Sequence, residues 1–459
     1  DVTEVHRFES RRIDRGDDRV WDLDHLVDGV RTGIELADEE HGPLASVGID
    51  ATAEMIGLIA EGEIIAPPIH TDSVHTACEL GGLSTAELFV ETGHSRLPNR
   101  YDTLHRAERS LVDRADWVGL FPALIAHELG AAPHGELSYA ISAGLGNTRT
   151  RRWADAVLER LGLETDLLPE LASVGSTVGT LDTGDLAVEG APDIVVVPGH
   201  DTSAAVAGIP FTDATRAFLA TGSWFITGYE VDTPVVSDRA IEASAENMGG
   251  VDGTARFVRN TPGFSLLEHC RAEWRDDGRD YGYDELLRAA GDADPFDPLI
   301  DPGHELLLDA HFSGEALPKI REFCRQTDQD PPRSVGSVTR CLLESLAASS
   351  ALLLDQLGDV ADRDPEVLHL VGGGVRNEML CRMVADAAGV TVLAGPGDAT
   401  AIGSILCQSR AVGHVESLAE GRRVVGESYG VEPYDPVETD RWAHALARMS
   451  ELRTDGPTK

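Results

Sequence analysis

Four consecutive β-branched residues, Ile194-Val195-Val196-Val197, are stopped by Pro198-Gly199, and His200-Asp201-Thr202 follow at once. An unbroken apolar run of this kind reads as a strand buried on both faces, the pattern of a parallel sheet in an α/β protein. In open α/β sheets, ligands gather at the carboxyl ends of the strands, so Asp201 stands where a general base would stand. Asp is equally a favoured helix N-cap, and this segment by itself supports both readings. The small residues that follow, Ser203-Ala204-Ala205-Val206-Ala207-Gly208, suit close packing at a domain hinge.

A chain of 459 residues exceeds one ordinary core, which predicts two domains of about 200 residues each. No stretch approaches the roughly 18 uninterrupted apolar residues of a membrane span, and the first residues do not resemble a signal peptide. The charge is extreme: 79 Asp and Glu against 38 Lys and Arg give −41. Lysine occurs only at Lys319 and Lys459. The acids are spread along the whole length, so they belong to folded surface rather than to an acidic tail. We expect a cytoplasmic protein of a salt-accumulating organism, with neither nucleic acid nor a membrane as partner, since both carry the same sign of charge. Six scattered cysteines without a CxxC pair predict free thiols rather than a disulfide framework or a metal site.

Along the chain, Val2 to Phe8 reads as a short strand. Asp22 reads as the cap of a helix carrying Leu23, Leu26, Val27, Val30 and Ile34 on one face. Leu44 to Ile49 reads as a buried strand ending in Asp50. Residues 71–150 read as mainly helical, and Trp153 to Leu171 as an amphipathic helix. In the second half, strands are expected near 217–219, 225–231, 367–371 and 390–393, with helices over 338–357, 377–388 and 400–411.

Several turns could carry chemistry. Gly372-Gly373-Gly374, between a strand and a helix, would let backbone amides approach an anion or a nucleotide; a tight turn explains it equally well. Thr221-Gly222-Ser223-Trp224 could offer amides and hydroxyls to a phosphate, although an ordinary β-turn is the plainer explanation. Glu246 to Gly250 and Arg259 to Gly263 read as polar loops. There is no GxxxxGK[ST] motif, so a phosphate clamp must use amides, hydroxyls, Arg or a metal ion.

Taken in order, these segments resemble the FGGY carbohydrate kinases. The matching set runs from Val5-His6-Arg7-Phe8 and Trp21 to Asp24 through Ser46 to Asp50, Leu168-Pro169-Glu170 and Gly199 to Thr202. It continues with Thr221 to Trp224, Asn247 to Gly250, Val258-Arg259-Asn260, Val371 to Gly374 with Arg376-Asn377, Ala394-Gly395-Pro396 and Ala399 to Gly403. The resemblance implies an α/β fold of two actin-like (ribonuclease-H-like) ATPase domains with an interdomain cleft. Residues 1–207 would bind the sugar and 208–455 the ATP. It implies an ATP-dependent kinase acting on a hydroxyl of a ketose such as L-rhamnulose, with Mg²⁺ accompanying ATP. Asp201 matches the general base; Gly199, His200, Thr202 and Asn260 match sugar-side residues. Ser223, Glu268 and Gly373 match residues near ATP. No protein metal ligand is assigned, and a homodimer stays open.

Two departures stand out. Family members open with an Asp-bearing strand and a Gly/Ser-rich hairpin that helps hold ATP phosphates and Mg²⁺, whereas this sequence starts at what corresponds to a later strand. A chain truly beginning at Asp1 is expected to have weak or no kinase activity. The loop after Asp50 reads Ala51-Thr52-Ala53 where similar members carry Trp-Gly, so Ala53 stands at the place of a sugar-side Gly. A later Asp-x-Arg is answered only by Asp72-Ser73-Val74. A sugar-binding pseudokinase and an actin-like ATPase without a sugar acceptor therefore stand as alternatives.

The charge makes its own prediction. About 1 M salt shortens the Debye length to roughly 3 Å and screens self-repulsion. Dilution from molar KCl to low salt should lower the unfolding temperature, as read by calorimetry; an unchanged value would overturn this.

Overall fold

Val367–Gly372 and Ala217–Thr221 are almost wholly buried and pair in parallel at the centre of a seven-stranded sheet. The computed structural model describes residues 2–16, 18–52, 55–70, 82–97, 101, 104 and 108–453. The sheet order is Glu246–Gly249, Ala255–Pro262, Trp224–Val231, Ala217–Thr221, Val367–Gly372, Thr391–Ala394, Glu432–Tyr434. Its first four strands are mutually antiparallel, with Glu246–Gly249 at the edge and Ala255–Pro262 between it and Trp224–Val231, and Thr391–Ala394 adds in parallel beyond Val367–Gly372. The chain passes from Val367–Gly372 through the helix Glu378–Ala388 to Thr391–Ala394, a βαβ unit.

The helix Val335–Ala361 packs on this sheet. Ser334 and Ser337 form a reciprocal cap at its start, satisfying amides that a helix end leaves open. It is long and apolar enough to cross a membrane, but 83% of its most apolar window is buried inside the protein. It is a core helix, joining the sheet to the helices Phe264–Asp276, Tyr283–Gly291 and Ala316–Gln326 through Leu342, Leu343 and Leu346.

The first half has smaller sheets. Asp193–Val195 pairs in parallel with Ser46–Val47 and antiparallel with Thr177–Thr180. Ile56–Ala60 lies antiparallel between Glu63–Ala66 and Trp117–Leu120. One continuous core runs from Leu23 through Tyr139 to Ile194.

The two halves meet where the helices Asp201–Ala207 and Ala399–Ala411 cross. Their backbones touch: a Cβ on Gly208 would stand 2.5 Å from the Ala399 carbonyl oxygen, and one on Gly403 would overlap that of Ala204. Ala205, Val206 and Ala399 then join Phe218, Val258 and Val371 in a shared apolar cluster. The small-residue stretch behind Asp201 thus packs as expected.

Several local expectations change. Val2 to Phe8 takes no strand pairing; Phe8 instead lies against Gly29 of the helix Leu23–His41, at a point where a Cβ would collide with its ring. The polar turn after it holds the hairpin Arg12–Arg15/Asp18–Trp21. The helix expected over Trp153 to Leu171 covers only Asp155–Leu161, because Gly162 ends it in the left-handed region at φ +64°. Within 71–150, Trp117–Leu120 and Gly135–Glu136 are strands rather than helix, and residues 71–81 lie outside the described residues. Glu246 to Gly250 and Arg259 to Gly263 supply ladder residues of the large sheet rather than loops.

The crossing gives a direct test. G403A should destabilise the protein by about 1–3 kcal/mol through overpacking, because backbone rather than a flexible side chain occupies the space. Urea unfolding in molar salt measures it, and an unchanged midpoint would refute the contact.

Candidate active site

The loop that follows the strand Asp193–Val195 pairs with a neighbouring segment. Ala51 N donates to Gly199 O (2.9 Å) and Asp201 N donates to Ala51 O (3.0 Å), so the two strand ends stay paired up to Asp201. His200 then caps the helix, with its Nδ1 3.0 Å from Thr202 N, and Asp201 occupies the first helical position. His200 Nδ1, Thr202 N and Thr202 Oγ1 all meet Asp201 at Oδ1. The side chain is 47% exposed. Desolvation pushes the Asp201 pKa up, but the His200 hydrogen bond and charge and the Thr202 donors outweigh it, and the carboxyl sits below its ordinary range.

Beneath this loop lies Glu136, which the sequence reading did not single out. Its buried carboxylate accepts from Ser138 N (2.8 Å), Ser138 Oγ (2.6 Å), Tyr139 N (3.0 Å) and Gly199 N (2.9 Å). It both caps a helix and fixes the loop that precedes Asp201. Across the cleft stands Asn260, whose amide nitrogen lies 3.5 Å from Glu246 Oε2, while its Oδ1 is buried without a partner. Glu246 also meets His94 Nδ1 at 3.4 Å, joining the two halves. Desolvation opposes the Glu246 charge, but His94, Arg256 and His200 prevail and hold its pKa down. A buried acceptor with no partner is a natural place for a ligand hydroxyl.

A polar stripe on the helix Ala399–Ala411 closes the other side. Thr400, Ser404 and Gln408 recur every four residues and so share one face. Thr400 Oγ1 donates to Asp201 O (3.3 Å), Ser404 Oγ donates to Asp50 Oδ2 (2.7 Å), and Ser46 Oγ donates to Gln408 Oε1 (2.9 Å). Desolvation lifts the Asp50 carboxyl to about 6, against the Ser404 hydrogen bond and with the Asp201 charge adding to the rise.

At the carboxyl ends of Ala217–Thr221 and Val367–Gly372 the two suspected phosphate turns sit side by side, since Thr221 pairs with Gly372. Thr221 Oγ1 donates to Val371 O (2.7 Å) and accepts from Gly374 N (2.9 Å). Gly372 has φ +86°, and Thr221 oxygens stand 2.6 Å or less from where a Cβ on Gly372 or Gly374 would lie. Ser223 and Gly373 are exposed, and Gly373 has only one neighbour within 4 Å of an added Cβ. Ser223 O accepts from Gly263 N (2.8 Å), which ties this hairpin to the end of the strand bearing Asn260.

The structure thus gathers Gly199, His200, Asp201 and Thr202 in one loop, and Ser223 and Gly373 on adjoining turns. Glu268, on the helix Phe264–Asp276, is bound to Arg271 (2.9 Å) and to the Tyr283 hydroxyl. Ala53, and Asp72 to Val74, lie outside the described residues. Among the described residues no group of three or more His, Cys, Asp or Glu side chains could hold a metal.

Two α/β halves, a cleft between them and glycine turns at the sheet end define an actin-like ATPase fold. The overall structure superposes on a ligand-bound xylulose kinase from Lactobacillus acidophilus with a TM-score of 0.75, covering 97% of this chain and 92% of that one at 13% identity. It superposes on Plasmodium falciparum glycerol kinase with ADP at 0.73, over 97% and 92%, also at 13% identity. Residues 217–412 match the C-terminal domain of the FGGY family of carbohydrate kinases. The chain is 32% identical to a rhamnulokinase of Bacteroides thetaiotaomicron over 452 residues, 96% of this chain and 92% of the relative. It is 28% identical to that of Bacillus subtilis, over 96% and 91%. The chain belongs to the FGGY family of carbohydrate kinases, and it is an ATP-dependent sugar kinase.

Asp50 supplies a pH test. A carboxyl whose folded pKa is raised binds protons that the unfolded chain has released, so native stability falls as pH rises from about 4 to 6. D50N keeps an acceptor for Ser404 and removes that loss. It should be more stable than the parent above pH 6, with the gain vanishing below pH 4 in thermal unfolding scans; an equal gain at every pH would contradict the assignment.

Proposed function

We propose that this kinase transfers the γ-phosphoryl group of ATP to a hydroxyl of a ketose such as L-rhamnulose, with Asp201 as the general base. The observation that carries the reading is the state of one carboxylate: His200 and Thr202 hold it at Oδ1, beyond the end of a buried strand, while its side chain stays half exposed. A base held below its ordinary pKa stays ionised at neutral pH and can accept the hydroxyl proton as the oxygen attacks phosphorus. The naming of the sequence relatives as rhamnulokinases supports the ketose.

The sugar would lie between the Gly199–Thr202 loop and Asn260, whose unpartnered Oδ1 would accept from a second hydroxyl. The position of Ala53 belongs to the same side in this reading. ATP would lie on the second half, its phosphates on the Ser223 hairpin and the Gly373 turn, with Glu268 farther along the adjoining helix. Residues 1–207 and 208–455 would be the two lobes, closing to expel water from the cleft. Mg²⁺ carried by ATP ordinarily keeps several waters and needs only one or two carboxylates, which fits the Asp50–Asp201 pair better than an all-protein cage. When bound, it would neutralise phosphate charge against a protein of net charge −41.

D201N preserves size and the Oδ1 acceptor but not the base. It should lower ATP- and sugar-dependent ADP release by about 100-fold or more in molar salt. Sugar affinity by calorimetry should change far less. Full activity in D201N would overturn the assignment.

A further inference from the structure

Ser223 is exposed, on a turn that also exposes Gly222, yet the backbone of that turn is firmly held. Ser223 O accepts from Gly263 N (2.8 Å) and Ser265 N (3.3 Å), and Gly222 O accepts from Phe264 N (3.0 Å). These amides open the helix Phe264–Asp276, where the helix itself supplies no acceptor for them. Helix start and turn therefore satisfy each other. An exposed turn with a glycine in it would otherwise be free to move.

Side chains make the same connection a second time. Trp224, the next residue, packs its ring on His311, with centroids 4.2 Å apart and planes at 51°. His311 Nδ1 lies 2.6 Å from the hydroxyl oxygen of Ser265, which is buried and is the same residue whose amide reaches Ser223 O. His269, four residues beyond Ser265 on that helix, places Nε2 3.0 Å from His311 O; a carbonyl only accepts, so Nε2 donates. His311 itself belongs to the helix Glu305–Ser313, whose Leu307 and Ala310 are buried in one cluster with Leu266 and Leu267. The contacts close into a ring. Ser223 meets Ser265 through the backbone, Ser265 meets His311 through its hydroxyl, His311 meets Trp224 through the two aromatic rings, and Trp224 returns to Ser223 along the chain.

We propose that His311 is a positioning residue for the phosphoryl transfer: held by Ser265, its imidazole fixes Trp224 and so sets the Ser223 turn where an ATP phosphate arrives. This rests on the kinase reading given above, in which Ser223 lies at the phosphates. The imidazole suits the task in two ways. Its flat face packs on the indole, and its single directed contact with the Ser265 hydroxyl fixes the angle of the ring. His311 acts through Trp224 and Ser223 rather than on the nucleotide. Phosphoryl transfer leaves the protein little covalent work, so the placing of each donor weighs heavily. A donor displaced by about 1 Å loses much of its effect on rate.

The test uses the full chain in molar KCl with the best acceptor from a ketose panel. H311A should lower kcat/KM for ATP about 10-fold and leave the KM for sugar within about two-fold. S265A removes the contact with the imidazole and should lower kcat/KM for ATP about 3-fold, whereas S265T keeps the hydroxyl and should match the parent. In an S223A background H311A should cost less than about two-fold, because the contact it serves is already gone. An undiminished kcat/KM in H311A, the same loss in both backgrounds, or equal losses in S265A and S265T overturns the proposal. Amide hydrogen exchange tests it without substrate, and S265A serves there if H311A does not fold. The Gly263 and Phe264 amides, bonded to the turn, should exchange about 10-fold faster than in the parent, and unchanged exchange overturns the proposal. If the parent phosphorylates no sugar, the function assigned above fails, while the exchange measurement still decides whether His311 holds the turn.

Discussion

Backbone contact between two crossing helices underlies the rest of this structure. With Gly403 against Ala204 and Gly208 against Ala399, the axes of Asp201–Ala207 and Ala399–Ala411 approach more closely than side chains would permit. That closeness lets short hydroxyls do long-range work. Thr400 reaches the Asp201 carbonyl and Ser404 reaches Asp50 only because no Cβ separates the helices at the crossing. One helix thus begins just beyond the loop that follows Thr391–Ala394 and ends on the strand ends of the other half. The geometry of Asp201 is set jointly by both.

The electrostatics follow from the same enclosure. A chain of net charge −41 places Asp50, Asp201, Glu136 and Glu246 around one cleft, with Arg256 the one fully buried guanidinium among the described residues. These four carboxylates are not equivalent. Glu136 is saturated with donors and is structural. Asp201 is held low by His200 and Thr202, while Asp50 has one hydroxyl donor and is pushed up to about 6. Environments that separate the pKa values of neighbouring acids are how one site assigns them different tasks.

The sequence foreshadowed the ends of strands better than the supports behind them. The Ile194–Val197 run, the glycine triplet and the Thr221–Trp224 turn were visible because each is a local pattern. Glu136, Arg256 and Ser404 were not, because their roles arise from contacts across 63, 7 and 354 residues, with Gly199, Gly249 and Asp50. Arg256 sits inside Ala-Arg-Phe-Val-Arg, where alternation would suggest a solvent-facing cation; only the folded sheet shows that this face is covered. The antiparallel strands Ile56–Ala60 and Glu63–Ala66 escaped notice for a related reason: Glu61-Gly62 is a two-residue hairpin turn, with φ +54° and +82°, set within a run that lacks clear alternation.

Thr221 has one hydroxyl, and both of its bonding roles are already occupied. It donates to one strand end and accepts from the glycine turn, so it has no freedom left to turn toward a ligand. The two turns are locked together before anything binds them, and little conformational entropy remains to be lost there on binding. Adaptation to different ligands must then come from the opposite wall of the cleft, where the Asn260 carbonyl still waits for a donor. In the proposed arrangement the nucleotide side is a rigid template and the sugar side a fitted one, and variation in acceptor choice among relatives should accumulate on the fitted side.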